Sequence, residues 1–450
     1  VERINARLAW ITDGAVTAYS QVAKMSGWVN ERVNFGSSLA EGLVEEYLAV
    51  AKDAPPDVIE VLNLRLEGAS AAVKKYVAAV NLADADDRIR ESTKYYGAAT
   101  GRWSGAGIQP HNMKRSKTPD ESYYQAIATG DYDLCALLWD NPIDLLKKSV
   151  RGIICAPPGR KLVVSDFANI EARVLAWLAG QESMLKTFRA SQDVYIASAC
   201  EIFGYPPADI ADWDGHKWKI KAKHSINGVK CSDMRQLGKG CVLGLGYGMG
   251  AAKFAANVRI QQGLDLDPEF VEGVVKAWRT TNSAITRLWA NLNNACIRAI
   301  QSKGQGFRVG KLLAYWHKRG YLCIRLPSGR DLFYYQAKLG PPNQWGNPEI
   351  MYLDGSKGNA KNAWTKTYGG KLAENVTQAV SRDPLVHSMQ LIDRGGFDLV
   401  LHVHDESVSE VDAGDQDAKP FIHNAMQTLP PWAEGLPLEA ETYESRRYTK

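Results

Sequence analysis

The stretch VVSDFANIEARVLAWLAG, residues 163–180, constrains the fold more than any other part of the chain. Two β-branched residues and a serine lead into Asp166, and from Ile170 the apolar positions Val174, Trp177 and Leu178 fall on one helical face. The pattern predicts a buried strand that stops at an acid, then at once a helix with Glu171 and Arg173 in its first turn. An ionised carboxylate is expensive to desolvate unless something pairs with it, so a partner has to meet this strand end. A second such place lies far along the chain. LVLHVHDESVSEV, residues 399–411, reads as two short strands meeting at His404, Asp405 and Glu406, a hairpin with acids at its tip.

If the two acid-ended strands are neighbours in one sheet, Asp166 and Asp405 converge. Carboxylates that close repel unless cations neutralise them. Oxygen ligands with few protein donors suit Mg²⁺, which keeps waters and takes further ligands from substrate phosphates. Two such ions about 3.5 to 4 Å apart activate an attacking oxygen and stabilise a leaving one in phosphoryl transfer. Two independent strand-end acids, capping helices or pairing with arginines, would have the same look in sequence.

A third stretch, RQLGKGCVLGLGYGMG (235–250), adds basic groups. On a helix Arg235, Lys239, Leu243 and Tyr247 recur every four residues and form one drifting stripe. Its two cations suit a triphosphate, and Tyr247 suits stacking on a base. The glycines at 238, 240, 244, 246 and 248 each weaken a helix by about 1 kcal/mol against alanine. This predicts an element able to bend or swing, although a helix packed tightly on a neighbour also uses glycine.

Elsewhere the pattern is mixed α and β. The first hundred residues look helical, GLVEEYLAVAKD and then DVIEVLNLRLEGASAAVKKYVAAVNLA, with Pro55 and Pro56 as breakers between them. YYGAATGRWSGAGIQPHNMKR (95–115) is a Gly-rich polar loop carrying Arg102, Trp103, Gln109 and Asn112, of the kind that meets a ligand. One long amphipathic helix is expected over residues 268–301, a β-prone piece at YLCIRLPSGRDLFYY, and a helix from GGKLAENVTQAV onward. With 450 residues, 45% of them apolar, the chain can build two to four units with a substantial core. Its net charge of +4 is small, but basic residues cluster at Lys217, Lys219, Lys221, Lys223 and Lys230, and at Arg308, Lys311, Lys318 and Arg319. Seven cysteines, odd in number and without a C-x-x-C pair, favour a reducing compartment with neither disulfide framework nor zinc site. No secretory segment and no apolar run of roughly 18 residues is present, so a cytoplasmic protein is expected. A chain that begins at Val1 is also expected to be a piece of a longer one.

Taken together these motifs resemble the family A DNA polymerases, the group of bacterial DNA polymerase I and its phage relatives. Asp166, Ile170, Glu171 and Arg173 match D-x-x-x-I-E-x-R. Arg235, Lys239, Leu243, Gly244, Tyr247 and Gly248 match R-x-x-x-K-x-x-x-[FY]-G-x-x-Y-G, and His404, Asp405 and Glu406 match H-D-E. TGRWSGAGIQPHN is similar to the family's T-G-R-x-S-S segment, and Gln378 falls where the family has a minor-groove glutamine. The resemblance covers roughly residues 60–450 and implies an α+β right hand with an antiparallel palm sheet, helical fingers and a helical thumb. By that analogy the thumb is 1–98, the palm 99–180 and 372–450, and the fingers 181–371.

The resemblance also implies roles. Asp166, the Phe167 carbonyl and Asp405 hold two Mg²⁺ ions, for which Mn²⁺ can substitute, Asp166 and Asp405 are catalytic, and Glu406 is a further catalytic acid. Lys239 is catalytic and, with Arg235, Leu243, Tyr247, Glu171 and Tyr195, meets the incoming dNTP; Glu171 stands under the sugar as a steric gate. Arg102, Gln109, Asn112, Gln378 and His404 contact primer-template DNA. Three positions depart from the pattern: Leu243 replaces Phe or Tyr, Tyr195 stands where many members have His, and Glu374 where Asn is frequent. With a longer Lys-rich segment between Phe203 and Met234, they resemble a phage-type branch. A bacterial or phage-infected cytoplasm follows as the expected setting. A proofreading exonuclease needs an α/β unit of about 150 to 200 residues, which the helical first hundred do not supply. The function implied is template-directed addition of dNTPs to a primer 3′ end. A metal-dependent nuclease would explain the acids equally but leave Arg235, Lys239 and Tyr247 idle. A single-subunit RNA polymerase would conflict with a bulky gate at Glu171.

Overall fold

The computed structural model describes residues 1–36, 38–50, 53–69, 71–113, 121–139, 142–317, 319–342, 346, 348–355 and 364–449. Lys318 of the second basic cluster, and Lys114 and Arg115 at the end of the Gly-rich loop, lie outside them. The chain packs as two units, Val1–Thr93 with Gly105–Cys155 and Arg447–Lys450, and Lys94–Ser104 with Ala156–Arg446. Among the described residues no helix is long and apolar enough to cross a membrane.

The first unit is helical. Pro56 opens the helix Pro56–Gly68 at a position where the missing N–H has no intrahelical partner to lose. Val58, Val61 and Leu62, spaced three and four apart, point into a core shared with Leu8, Met25, Val29 and Val44. The helical stretch from Asp57 to Ala83 is broken, resuming as Ala71–Leu82. Gly68 ends the first piece against Tyr19, whose ring would lie 2.5 Å from a Cβ there. Farther on, the buried Arg151 guanidinium donates from Nε and Nη2 to the Met113 carbonyl at 3.2 and 2.9 Å and tethers that loop.

The second unit is built on a four-stranded antiparallel sheet in the order Asp398–Val403, Glu406–Asp412, Arg160–Phe167, Ala440–Ser445. Arg160–Phe167 is an inner strand, so every residue from Leu162 to Phe167 is buried. The helix Ile170–Ala179 and the 26-residue helix Gly369–Arg394 pack with it, joined by Phe167, Val174, Leu175, Leu372, Val376 and Val380. Gly369 and Gly370 open that long helix where a Cβ would meet the carbonyl oxygens of Trp289 and Tyr247 at 2.2 and 2.3 Å.

Three features differ from the sequence-based expectation. The β-prone piece is part of a six-stranded antiparallel meander: Gly306–Val309, Leu312–His317, Tyr321–Arg325, Asp331–Pro342, Pro348–Leu353 and Trp364–Thr367. Its tight turns are made by Gly310, Gly320 and Gly329, with φ of +55°, +83° and +85°. The helix expected over 268–301 is two helices, Pro268–Thr281 and Ser283–Gln301. Asn282 stands at the break, where its backbone N–H makes the last regular bond to the Trp278 carbonyl at 2.8 Å and its side-chain Nδ2 competes for the same oxygen at 3.0 Å. The buried Gln181 side chain meets the groups exposed by the break, donating to Thr281 O at 3.1 Å and accepting from Ala284 N at 3.2 Å. The Lys-rich segment forms two small ribbons, Ala211–Trp213 with Trp218–Ile220 and Ser225–Ile226 with Val229–Lys230. In them Lys219 pairs with Asp214 and Lys221 with Asp212.

The basic helix spans Cys231–Gly244 and tightens to a single 3₁₀ turn at Leu245–Tyr247. It packs against the helix Val194–Phe203 so closely that a Cβ on Gly238 would sit 2.2 Å from the Tyr195 carbonyl oxygen and 3.0 Å from the Ala199 nitrogen. At Gly238, therefore, glycine serves close packing. Gly273, inside Pro268–Thr281, has nothing within 4 Å of its notional Cβ. Gly238→Ala is expected to destabilise the protein by about 1 to 3 kcal/mol through overpacking. Gly273→Ala is expected to stabilise it by up to about 1 kcal/mol through helix propensity. Thermal unfolding of the two variants beside the parent checks the opposite signs.

Candidate active site

The strand that carries Asp166 pairs with Glu406–Asp412, the second strand of the hairpin, and Asp405 lies in the hairpin turn. Asp166 is the register partner of Glu406 on one side and of Glu441 on the other. Residues directly opposite in antiparallel strands project to the same face, so Glu406, Asp166 and Glu441 form one row across the sheet. Asp166 and Glu406 are almost wholly buried, at 6% and 2% exposure. Val403 and Glu406 pair to close the hairpin, leaving His404 and Asp405 as its two-residue turn. His404 holds φ at +56° and is exposed, while Asp405 is half-buried. The Asp405 carbonyl accepts from Phe167 N at 3.3 Å, which joins the hairpin tip to the end of the Asp166 strand. Sequence reasoning missed Glu441; its only signal was an acid in the alternating stretch AETYES.

The turn after Asp166 is held from several directions. Asn169 takes a left-handed φ of +54° and precedes the helix Ile170–Ala179. Arg173 is buried and reaches back under the turn, with Nε on Ala168 O at 2.6 Å, Nη1 on Pro437 O at 3.0 Å and Nη2 on the Glu439 carboxylate. Glu171 receives two donors expected elsewhere. Arg102 Nη2 lies 2.6 Å from its Oε1, and the Tyr247 hydroxyl donates to Oε2 at 3.4 Å. Arg102 also donates from Nε to the Gln378 carbonyl at 3.2 Å, while the Gln378 side chain donates to Glu374 Oε1 at 3.4 Å.

The basic stripe meets the same turn. Arg235 donates from Nε and Nη2 to Asp193 Oδ2 at 2.8 and 2.7 Å. The other Asp193 oxygen caps the helix Val194–Phe203 by accepting from the amides of Tyr195 and Ile196, at 2.8 and 3.2 Å. The Arg235 guanidinium lies 5.3 Å from the Tyr195 ring, and the Tyr195 hydroxyl donates to Asn169 Oδ1 at 2.6 Å. Burial pushes the phenols of Tyr195 and Tyr247 above their ordinary range, so both stay protonated donors. Lys239 and Leu243 are exposed, Leu243 by 50%. Asp193 and Asn169 were not anticipated; an acid just before an apolar helical run is the cap signature that marks the first.

Not every expected contact residue belongs to this assembly. Gln109 and Asn112 are in the other unit, where Asn112 Nδ2 donates to Gln109 Oε1 at 3.2 Å. There Lys75 Nζ donates to the carbonyls of Ile108 and Gln109, at 2.8 and 3.1 Å, and supports the left-handed φ of +50° at Gln109.

Comparison with known proteins draws these features into one family. The model of DNA polymerase family A matches residues 51–265, a span that holds the Asp166 and Arg235 motifs. A DNA polymerase of Bacillus phage SP02 is 34% identical over 433 residues, which is 96% of this chain and 63% of that protein. DNA polymerase I of Pseudomonas aeruginosa is 31% identical over 144 residues, 31% of this chain and 14% of that one. In structure the chain resembles the POL domain of Pol1 from M. smegmatis, solved in complex with DNA primer-template and dNTP. The TM-score is 0.63 at 14% identity, covering 100% of this chain and 64% of that one, a likeness of fold. The chain thus spans a little under two thirds of the phage protein, at 63%, and far less of the bacterial one, at 14%. With a 34% identity to a phage DNA polymerase that runs through nearly its whole length and a family model that takes in two of its motifs, the chain is similar to members of DNA polymerase family A.

Proposed function

We propose that this chain is a template-directed DNA polymerase that adds deoxynucleotides to a primer 3′ end. What carries the reading is that a basic stripe and a pair of acid-ended strands meet at one turn. Tyr195 bonds Asn169 and Tyr247 bonds Glu171, within five residues of Asp166. In this reading residues 1–98 act as thumb, 99–180 with 372–450 as palm, and 181–371 as fingers, in a bacterial or phage-infected cell.

The donors available where the Asp166 strand end meets the hairpin turn are oxygens: the carboxylates of Asp166 and Asp405 and the Phe167 carbonyl. Among the described residues no group of three or more His, Cys, Asp or Glu side chains forms a ready metal site. Such a set fits Mg²⁺, which completes its shell with water and phosphate oxygens; we infer two ions, with Mn²⁺ able to replace them. When bound, they favour ionisation of the attacking hydroxyl and neutralise phosphate charge. The primer 3′ oxygen forms a bond to the α-phosphorus, the bond from that phosphorus to the β-phosphate bridging oxygen breaks, and pyrophosphate leaves. Lys239 and Arg235 hold the triphosphate, and Tyr195 adds a neutral hydrogen bond. Glu406 lies beside the reacting groups without being indispensable. Tyr247 lies under the base, and Glu171 fills the space a ribose 2′-hydroxyl would need. Arg102, Gln109, Asn112, Gln378 and His404 face the duplex.

A labelled primer-template with Mg²⁺ and dNTPs tests the whole reading: longer products support it, while shorter products would indicate a nuclease and a mobility shift alone a binding module. Asp405→Asn is expected to abolish extension and leave DNA affinity nearly intact; extension near the parent's rate would remove Asp405 from the metal site.

In this reading Arg102 and Tyr247 set where the gate carboxylate stands before a nucleotide arrives. Glu171→Ala is expected to raise ribonucleotide use relative to deoxynucleotide. An unchanged ratio in single-nucleotide insertion would place the gate elsewhere.

Leu243 offers no polar atom beside the incoming sugar. A dideoxynucleotide lacks the 3′-hydroxyl that bonds its own phosphate, leaving an acceptor unpaired at a cost of about 1 to 3 kcal/mol. The parent should therefore discriminate against dideoxynucleotides by roughly tenfold to a hundredfold. Leu243→Tyr should relax this, since position 243 is exposed enough to take a ring. Insertion kinetics with dTTP and its dideoxy analogue decide it, and equal use of both by the parent would refute the placement.

A further inference from the structure

Residues 100–103 are seated on the long helix Gly369–Arg394 one after another. Arg330 donates from Nη1 to Thr100 O at 3.0 Å and from Nη2 to Ala379 O at 2.7 Å, while its Nε binds Asp383 at 3.0 Å. Gly101 passes so near that a Cβ would lie 2.3 Å from Arg330 Nη1, and its φ of +82° also calls for glycine. Arg102 follows, with Nε on Gln378 O. Trp103 comes next and touches two planar polar groups. The Arg382 guanidinium carbon is 4.4 Å from its ring centroid, and the His402 ring is at 4.5 Å with the planes inclined by 60°. Burial and the nearby Arg382 charge push the His402 imidazole down to about 4, so it meets the indole as a neutral ring. His402 lies on the strand Asp398–Val403, which runs straight into the His404–Asp405 turn.

An aliphatic side chain would fill this volume as well. Two flat partners, one of them a buried cation, set the angle of the indole as well as its distance. The loop needs such a fixture, because glycines at 97, 101 and 105 leave its backbone little rigidity of its own.

We infer that Trp103, clamped by Arg382 and packed at a tilt against His402, is a positioning residue that holds Arg102 in register with the Asp405 hairpin. A duplex contact and a metal-holding carboxylate are thereby kept as one rigid arrangement. The inference rests on the polymerase reading above.

A double-mutant cycle tests it on the full chain. Single-turnover insertion is measured for the parent, Trp103→Leu, Arg102→Ala and the double variant, with Trp103→Phe as the conservative control and thermal midpoints for all. Trp103→Leu is expected to slow insertion roughly tenfold or more, the scale of a small misplacement at a reacting centre. Trp103→Phe should recover most of that loss. In the Arg102→Ala background, Trp103→Leu should cost less than about twofold, because the residue it positions is gone. An equal loss in both backgrounds, or no loss in either, overturns the inference. If Trp103→Leu melts below the assay temperature, Arg382→Lys takes its place in the cycle; it keeps the charge and loses the flat stack, and the same outcomes decide. A parent that extends no primer overturns the polymerase reading and this inference with it. A parent that extends while the cycle is additive overturns the inference alone.

Discussion

Glu406, Asp166 and Glu441 stand opposite one another across three adjacent strands, and like charges directly opposite destabilise a sheet. The register that forces them together is set by apolar burial. Val163, Val164 and Val408 are fully buried in the same two strands, and each such side chain contributes about 1.5 to 3 kcal/mol. Both faces of Arg160–Phe167 are packed, so a slip by one residue would exchange the neighbours of every buried side chain between the two faces. The strands thus cannot relax by sliding, and the acids remain in line. Divalent cations carrying phosphate oxygens, as the polymerase reading requires, would offset the charge of such a row.

The second constraint is the turn that follows Asp166. Two phenols reach it from the basic helix and its neighbour, Tyr195 to Asn169 and Tyr247 to Glu171. A single hydrogen bond of this kind contributes a net 0.5 to 1.5 kcal/mol, roughly. The bridges are strong enough to define one arrangement and weak enough to be exchanged for contacts to a nucleotide. Close packing at Gly238 makes Cys231–Gly244 and Val194–Phe203 a pair, which sets Arg235 and Tyr195 side by side.

The acid-ended strand, the following helix and the hairpin at His404 were legible because each combines a local period with a local punctuation. Asp166, Asp405 and the stripe from Arg235 to Tyr247 could be named for the same reason. The six-stranded meander was only partly legible: its strands are short, and the pairing of Asp331–Pro342 with Pro348–Leu353 shifts register twice. Asn282 was hidden inside a helical period that continues on both sides of it, since only the side chain's grip on Trp278 O shows the break. Contacts such as Asp193 with Arg235, or Trp103 with His402, depend on which elements the fold brings side by side. No local pattern carries that information.

The pairing of Arg235 bears on how charge is distributed along the stripe. A guanidinium has five N–H donors, and Asp193 engages two of its nitrogens through a single oxygen. Most of the donors remain for a phosphate, but the carboxylate beside them offsets the positive charge. Lys239, exposed and one turn along, is left as the stripe's less compensated cation. Tyr195 cannot add to it, because a phenol carries no positive charge in either protonation state. Arg235 is thereby suited to orient a triphosphate through a fixed fork, and Lys239 to meet the charge that develops as a phosphate leaves. An ammonium on a flexible stem can follow a moving charge, whereas a guanidinium pinned at one edge cannot. In the polymerase reading, a division of labour between two cations on one helix face would follow from a single carboxylate, Asp193, which also caps the neighbouring helix.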